Sequence, residues 1–133
     1  MTCIMLQIIQ NDLFPFFERL KHRLQRKHPR YRYVCHAIST DHLPLHLSMV
    51  VHSQDMDQME FVIIVLLHYE SGNLAITSWL GYEGDPPLAE MPSIILRDKS
   101  CDAEYARICL AIRKFLKNNI MIIDKSLAEL GKR

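Results

Sequence analysis

The chain has 133 residues, of which 49% are apolar and 23% charged, and its formal net charge is +1. That balance excludes wholesale disorder, and 4 Gly and 6 Pro exclude a collagenous or low-complexity chain. The length suits a single α+β domain over residues 1–133, with enough buried surface for a core that needs no staples.

In chain order, Asp12 to His28 reads as the first helix. Asn11 or Asp12 caps it, Pro15 falls in its first turn, and Leu13, Phe17, Leu20 and Leu24 lie on one stripe. Pro29 ends it. Cys3 to Ile9 fits an extra helical turn, an edge strand or an arm, and its pattern leaves the three open.

Four strand-like runs follow. Tyr31 to Ser39 alternates in character. Leu43 to His52 alternates more strictly, with Leu43, Leu45, Leu47, Met49 and Val51 on one face and Pro44, His46, Ser48, Val50 and His52 on the other. Met59 to Glu70 is β-branched and apolar, as a central strand should be. Ser71-Gly72-Asn73 signals a hairpin, and Leu74 to Leu80 returns. The short polar link Thr40-Asp41-His42 suits an antiparallel meander. Gly81 to Pro92 reads as a loop, Ser93 to Arg97 as a short fifth strand, and Asp98 or Ser100 as the cap of the last helix.

In that last helix Tyr105, Cys109, Ile112, Leu116, Asn119, Ile123, Leu127 and Leu130 recur at steps of three and four. Continuous from 101 to 130, it would be about 45 Å long, whereas a domain of this size is about 36 Å across. The helix then overhangs its own domain, unless it breaks near Asn118-Asn119. Ile120-Met121-Ile122-Ile123 covers every face of a helix, and Asn119 sits within the apolar stripe, where a polar group sets register between paired helices. The expectation is an N-terminal helix, an antiparallel meander of four to five strands and a long C-terminal helix packed on one sheet face. That helix pairs two copies through Leu116, Asn119, Ile120, Ile123 and Leu127.

Charge is segregated. Arg19 to Arg32 holds seven Lys or Arg and no acid, and an acidic middle separates this run from a basic C-terminal third. Arg19, Arg23, Arg26, Lys27 and Arg30 are therefore the candidate contacts for nucleic acid. On a helical wheel these charges surround everything except the apolar stripe, which is what a solvated amphipathic helix shows.

Seven histidines raise metal and acid–base chemistry. His42, His46 and His52 lie close in sequence, His46 and His52 project from the same face of one strand, and His36 and His68 could lie on neighbouring strands, but no HExxH or comparable spacing is present. Cys35 and His36 are adjacent and so point to opposite faces of a strand. No GxGxxG, GxxxxGK[ST] or GxSxG occurs, and no cofactor or metal is expected. The four cysteines lack zinc or disulfide spacing and read as free and buried.

The longest apolar run, Phe61 to Leu67, is far short of a membrane span, and Met1 to Gln10 lacks the marks of a signal peptide; a cytoplasmic location and no membrane partner are expected. The only Trp lies in Trp79-Leu80-Gly81-Tyr82-Glu83-Gly84-Asp85. Trp79, Tyr82, Glu83 and Asp85 form the candidate partner-binding spot, because aromatic rings carry much of the energy of hot spots. The leading expectation is a non-enzymatic interaction module, a homodimer that binds a further protein as adaptor, inhibitor or regulator. Its rivals are a nucleic-acid-binding regulator and a small enzyme with a His/Glu site on the sheet.

Overall fold

A computed structural model describes residues 2–38, 45–54, 59–96, 102–130 and 132. The elements run α1 (Thr2–Lys27), β1 (Tyr31–Ile38), β2 (Leu45–Ser53), β3 (Met59–Glu70), β4 (Asn73–Tyr82), β5 (Ala89–Glu90), β6 (Ile94–Ile95), α2 (Asp102–Asn118) and α3 (Ile120–Leu130). The architecture is α+β, with all strands in one antiparallel sheet ordered β1-β2-β3-β4-β5 and β6 also paired to β4.

The meander follows from local chemistry. β3 and β4 join through Ser71-Gly72, both at positive φ (52° and 82°), with Glu70 opposite Asn73. Two successive positive φ values make the tight turn whose twist matches a hairpin, which is why glycine stands there. At Gly81 a Cβ would come within 3.2 Å of the Leu88 nitrogen, so glycine lets the chain after Pro86-Pro87 fold back closely onto β4 without displacing it. That return creates β5, inside a stretch that reads as a loop. β5 and β6 have only two residues each, too few to carry a periodic signal, and they blunt one edge of the sheet. The β1–β2 link and the caps Asp98 and Ser100 lie outside the described residues.

The two sheet faces differ. Tyr33, Leu47, Met49, Val51, Phe61, Ile63, Val65, Leu67, Ile76 and Leu80 share one hydrophobic cluster with Leu13, Phe17, Leu20 and Leu24 of α1 and with Ile112, Leu116, Ile123 and Leu127 of α2 and α3. Each such side chain contributes about 1.5–3 kcal/mol on burial. Val50, Val62 and Ala75 are buried as well but stand outside that cluster, on the opposite face.

α1 is longer than its amphipathic pattern alone indicates. It begins at Thr2, so Asn11 and Asp12 are not caps and Pro15 is interior rather than in the first turn. Helix propagation is cooperative, so a segment of mixed pattern joins a helix already anchored by packing. Asp12 instead pairs with Arg113 of α2. At the other end, Tyr33 donates to the His28 carbonyl at 2.7 Å and satisfies one of the acceptors that a helix C-terminus leaves open. Burial pushes the Tyr33 hydroxyl well above its usual range.

The C-terminal rod is broken. α2 stops at Asn118 and α3 starts at Ile120. The Asn119 N–H donates to Leu116 at 3.2 Å, while its side-chain Nδ2 donates to the Phe115 carbonyl at 2.8 Å. The side chain thus takes the acceptor that an unbroken helix would assign to its own backbone, a competition for which Asn is well suited. Past the break, Ile123, Leu127 and Leu130 bury against the same chain. The overhanging helix is thereby corrected. Leu116, Ile123 and Leu127 are 1%, 0% and 1% exposed and are buried within their own chain. The Asn119 side chain is bonded within its own chain, to the Phe115 carbonyl. Of the apolar quartet, Met121 stays 80% and Ile122 39% exposed.

Candidate functional site

The outer sheet face, opposite the helices' cluster, carries cross-strand rows set by the register. His36 lies opposite Ser48, Ser48 opposite Ile64, Ile64 opposite Trp79, and Trp79 opposite Glu90. A second row joins Val34, Val50, Val62 and Gly81. The first row starts on an exposed imidazole, ends on an exposed carboxylate, and is half-buried at Ile64 and Trp79. In-register neighbours on one face lie about 5 Å apart; Ser48, Val50, Val62 and Gly81 are buried, so the accessible part of the first row is His36, Ile64, Trp79 and Glu90.

The candidate partner-binding spot is divided between the two faces. Trp79 is on the outer face. Tyr82, three residues on, points inward, stacks edge-on against Phe61 with centroids 5.6 Å apart, and donates to the Ser126 carbonyl at 3.3 Å. Glu83 and Asp85 are exposed in the following turn. Odd spacing along a strand separates the rings, which the short stretch of sequence conceals.

His36, His46 and His68 do share the outer face, as diagonal neighbours on β1, β2 and β3. Among the described residues, no group of three His, Cys, Asp or Glu is placed to hold a metal ion. His42 lies outside the described residues. Cys35 faces inward, with its thiol 3.8 Å from the Phe17 carbonyl, while His36 faces outward and is exposed. Burial, aided by Glu18 and opposed by Lys21, pushes the Cys35 thiol up to about 11. Burial alone takes Cys109 to about 11. Cys35 and Cys109 are free. Neither thiol is poised as a thiolate nucleophile at neutral pH.

The basic residues of α1 do not form one free surface. Asp124 of α3 gathers Lys27 at 2.9 Å, His28 Nε2 at 3.2 Å and Arg23 at 3.8 Å. Burial works to raise the Asp124 carboxyl, but the hydrogen bonds from Lys27 and His28 and the charges of Lys27 and Arg23 outweigh it and hold the group below the ordinary carboxylate range. Arg26 and Arg30 are exposed. The sequence did carry a signal for this cluster, because Asp124 is one of only two acids after residue 104 and its partners fill the most basic stretch of the chain.

Arg19 and Arg23 have a further neighbour. A cavity of about 200 Å³ lies between α1 and the α2–α3 junction, lined by Phe16, Arg19, Leu20 and Arg23 on one side and Leu116, Lys117 and Ile120 on the other. Lys117 Nζ stands 6.0 Å from the centre of the Phe16 ring. The α1 residues recur at steps of three and four, but the opposite wall comes from about 100 residues away and depends on the break at Asn119.

Among the described residues no helix is long and apolar enough to cross a membrane. In comparison with known proteins, no family model matches this chain, and neither a curated protein nor a solved structure matches it.

Proposed function

We propose that this chain is a non-enzymatic protein-interaction module that pairs with a second copy through its outer sheet face and acts as an adaptor or regulator in the cytoplasm. The observation that carries this reading is the row His36–Ser48–Ile64–Trp79–Glu90, which is polar at both ends, opposite in chemical character at those ends, and apolar near its middle. A two-fold axis running along the strands between two such faces reverses the row. Ile64 then meets the partner's Ile64, Ser48 meets the partner's Trp79, and His36 meets the partner's Glu90. An isologous contact of this kind is self-complementary by construction. Two sheets packed in this way stand about 10 Å apart.

Four strands at about 4.8 Å spacing and an eight-residue ladder rising about 3.4 Å per residue give a flat footprint near 500 Å², smaller than the roughly 800 Å² that each partner buries in a standard interface. The free thiols of Cys35 and Cys109 suit a reducing compartment.

Light scattering after size exclusion tests the pairing. The expected result is a dimer at micromolar concentration that Ile64→Lys converts to a monomer with an unchanged far-UV spectrum. A parent chain that stays monomeric at 100-fold higher concentration overturns the reading, as does an Ile64→Lys variant that still dimerises.

A further inference from the structure

We infer that the cavity between α1 and the α2–α3 junction binds a small amphiphilic carboxylate, with an apolar body about the size of a ring or a short alkyl chain. This inference is independent of the dimer, because the cavity is built by the helices and the proposed pairing uses the opposite side of the sheet.

The size comes first. At about 200 Å³ the cavity, open at its mouth, is of the same order as the roughly 150 Å³ enclosed apolar cavity known to take up benzene. Its floor is apolar, made by Phe16 and Leu20 of α1, Leu116 of α2 and Ile120 of α3. An apolar body placed there recovers contacts that water cannot supply.

The charge comes second. Every ionisable side chain on the cavity wall is a cation: Arg19, Arg23 and Lys117. Arg23 leans toward Asp124 at 3.8 Å and is partly neutralised. Arg19 and Lys117 are exposed and form no ion pair among the described residues. They stand on opposite walls, so one carboxylate at the mouth can meet both, and Arg19 offers the planar fork that matches it. Phe16 already presents its ring toward Lys117, which keeps that ammonium at the rim.

The same arrangement disfavours a second copy at this place. A two-fold axis through the mouth would set Arg19, Arg23 and Lys117 against their own counterparts, and like charges across an interface repel. The cavity lies at the break: Ile120, the first residue of α3, is part of its wall.

Methyl NMR of the full chain, titrated separately with octanoate, octanol and inorganic phosphate, tests this. Octanoate is expected to shift the Ile120, Leu116 and Leu20 methyl signals saturably at millimolar concentration or below. Octanol, with the same chain and no charge, should bind at least about tenfold more weakly, and phosphate should leave those methyls unmoved. Replacing both Arg19→Gln and Lys117→Gln should weaken octanoate by about tenfold while leaving the melting temperature and the octanol response unchanged. Octanol binding as tightly as octanoate reduces the site to an apolar groove and overturns the proposal. Phosphate displacing octanoate, or no saturable shift with octanoate, overturns it too.

Discussion

The side-chain amide of Asn119 donates to the carbonyl of Phe115 at 2.8 Å, in place of the backbone N–H that an unbroken helix would supply. This one substitution of donors separates α2 from α3 and turns Ile123, Leu127 and Leu130 into their own chain. Asn119→Asp keeps the shape and removes the donor, setting a carboxylate against the Phe115 oxygen. It should cost about 1–2 kcal/mol at neutral pH, the usual range for a lost hydrogen bond in a half-buried place. Below about pH 4 the protonated acid can donate again, so the difference from the parent chain should shrink there. Urea melts of both chains at pH 7 and pH 4 give the two differences directly.

The Asp124 cluster makes stability depend on acid. Its folded-state pKa is depressed, so the stabilisation is fully present above the unfolded value and is lost as pH falls through the lower, folded value. Melting temperature should therefore drop as pH is lowered below about 4. Asp124→Asn should be less stable than the parent at pH 7 by about 1 kcal/mol, a modest figure because the Lys27 and Arg23 side chains are about half exposed. The variant should also show a flatter acid limb. An equal pH slope in the two chains would remove Asp124 as the cause.

Pro15 sits in the interior of α1 and on its exposed side, where it removes one backbone donor and leaves the Asn11 carbonyl without its helical partner. Pro15→Ala restores that bond without touching the core. The expected gain is about 1–3 kcal/mol, read as a rise in the urea midpoint.

Ile123 and Met121 separate the buried from the exposed side of α3. Ile123→Asp places a charge at a position with 0% exposure and should abolish cooperative folding. Met121→Asp, at 80% exposure, should change stability by less than about 0.5 kcal/mol and leave the oligomeric state as it was. Circular dichroism and light scattering on the two variants report both.

Thiol labelling checks the packing of β1 and α2. With Cys3 and Cys101 replaced by Ser, native protein at pH 7.5 should react very slowly with a thiol reagent. Cys35 should react ahead of Cys109, since it is half-buried while Cys109 has 0% exposure. Both thiols are pushed up to about 11, so little thiolate is present at that pH. Both should react fully in urea.

Much of the architecture was already decided by local pattern. The apolar stripe of α1, the alternation in β2, the β-branched run of β3 and the Ser71-Gly72 turn each express a preference that operates within a few residues, and each element formed over its pattern, with α1 extending beyond it to Thr2. Tertiary structure decided the rest. The wheel of apolar residues past Asn119 is the same whether the helix runs straight or breaks, and the choice depends on whether Phe115 finds a better donor and whether a core lies within reach. Trp79 and Tyr82 look paired along the chain and are parted by the pleat. Arg23 and Lys27 lie about 100 residues from Asp124 in sequence and meet it only in the tertiary structure. A local pattern carries the conformational preference of its own segment, but it holds no information about which distant surface will be present to reward it.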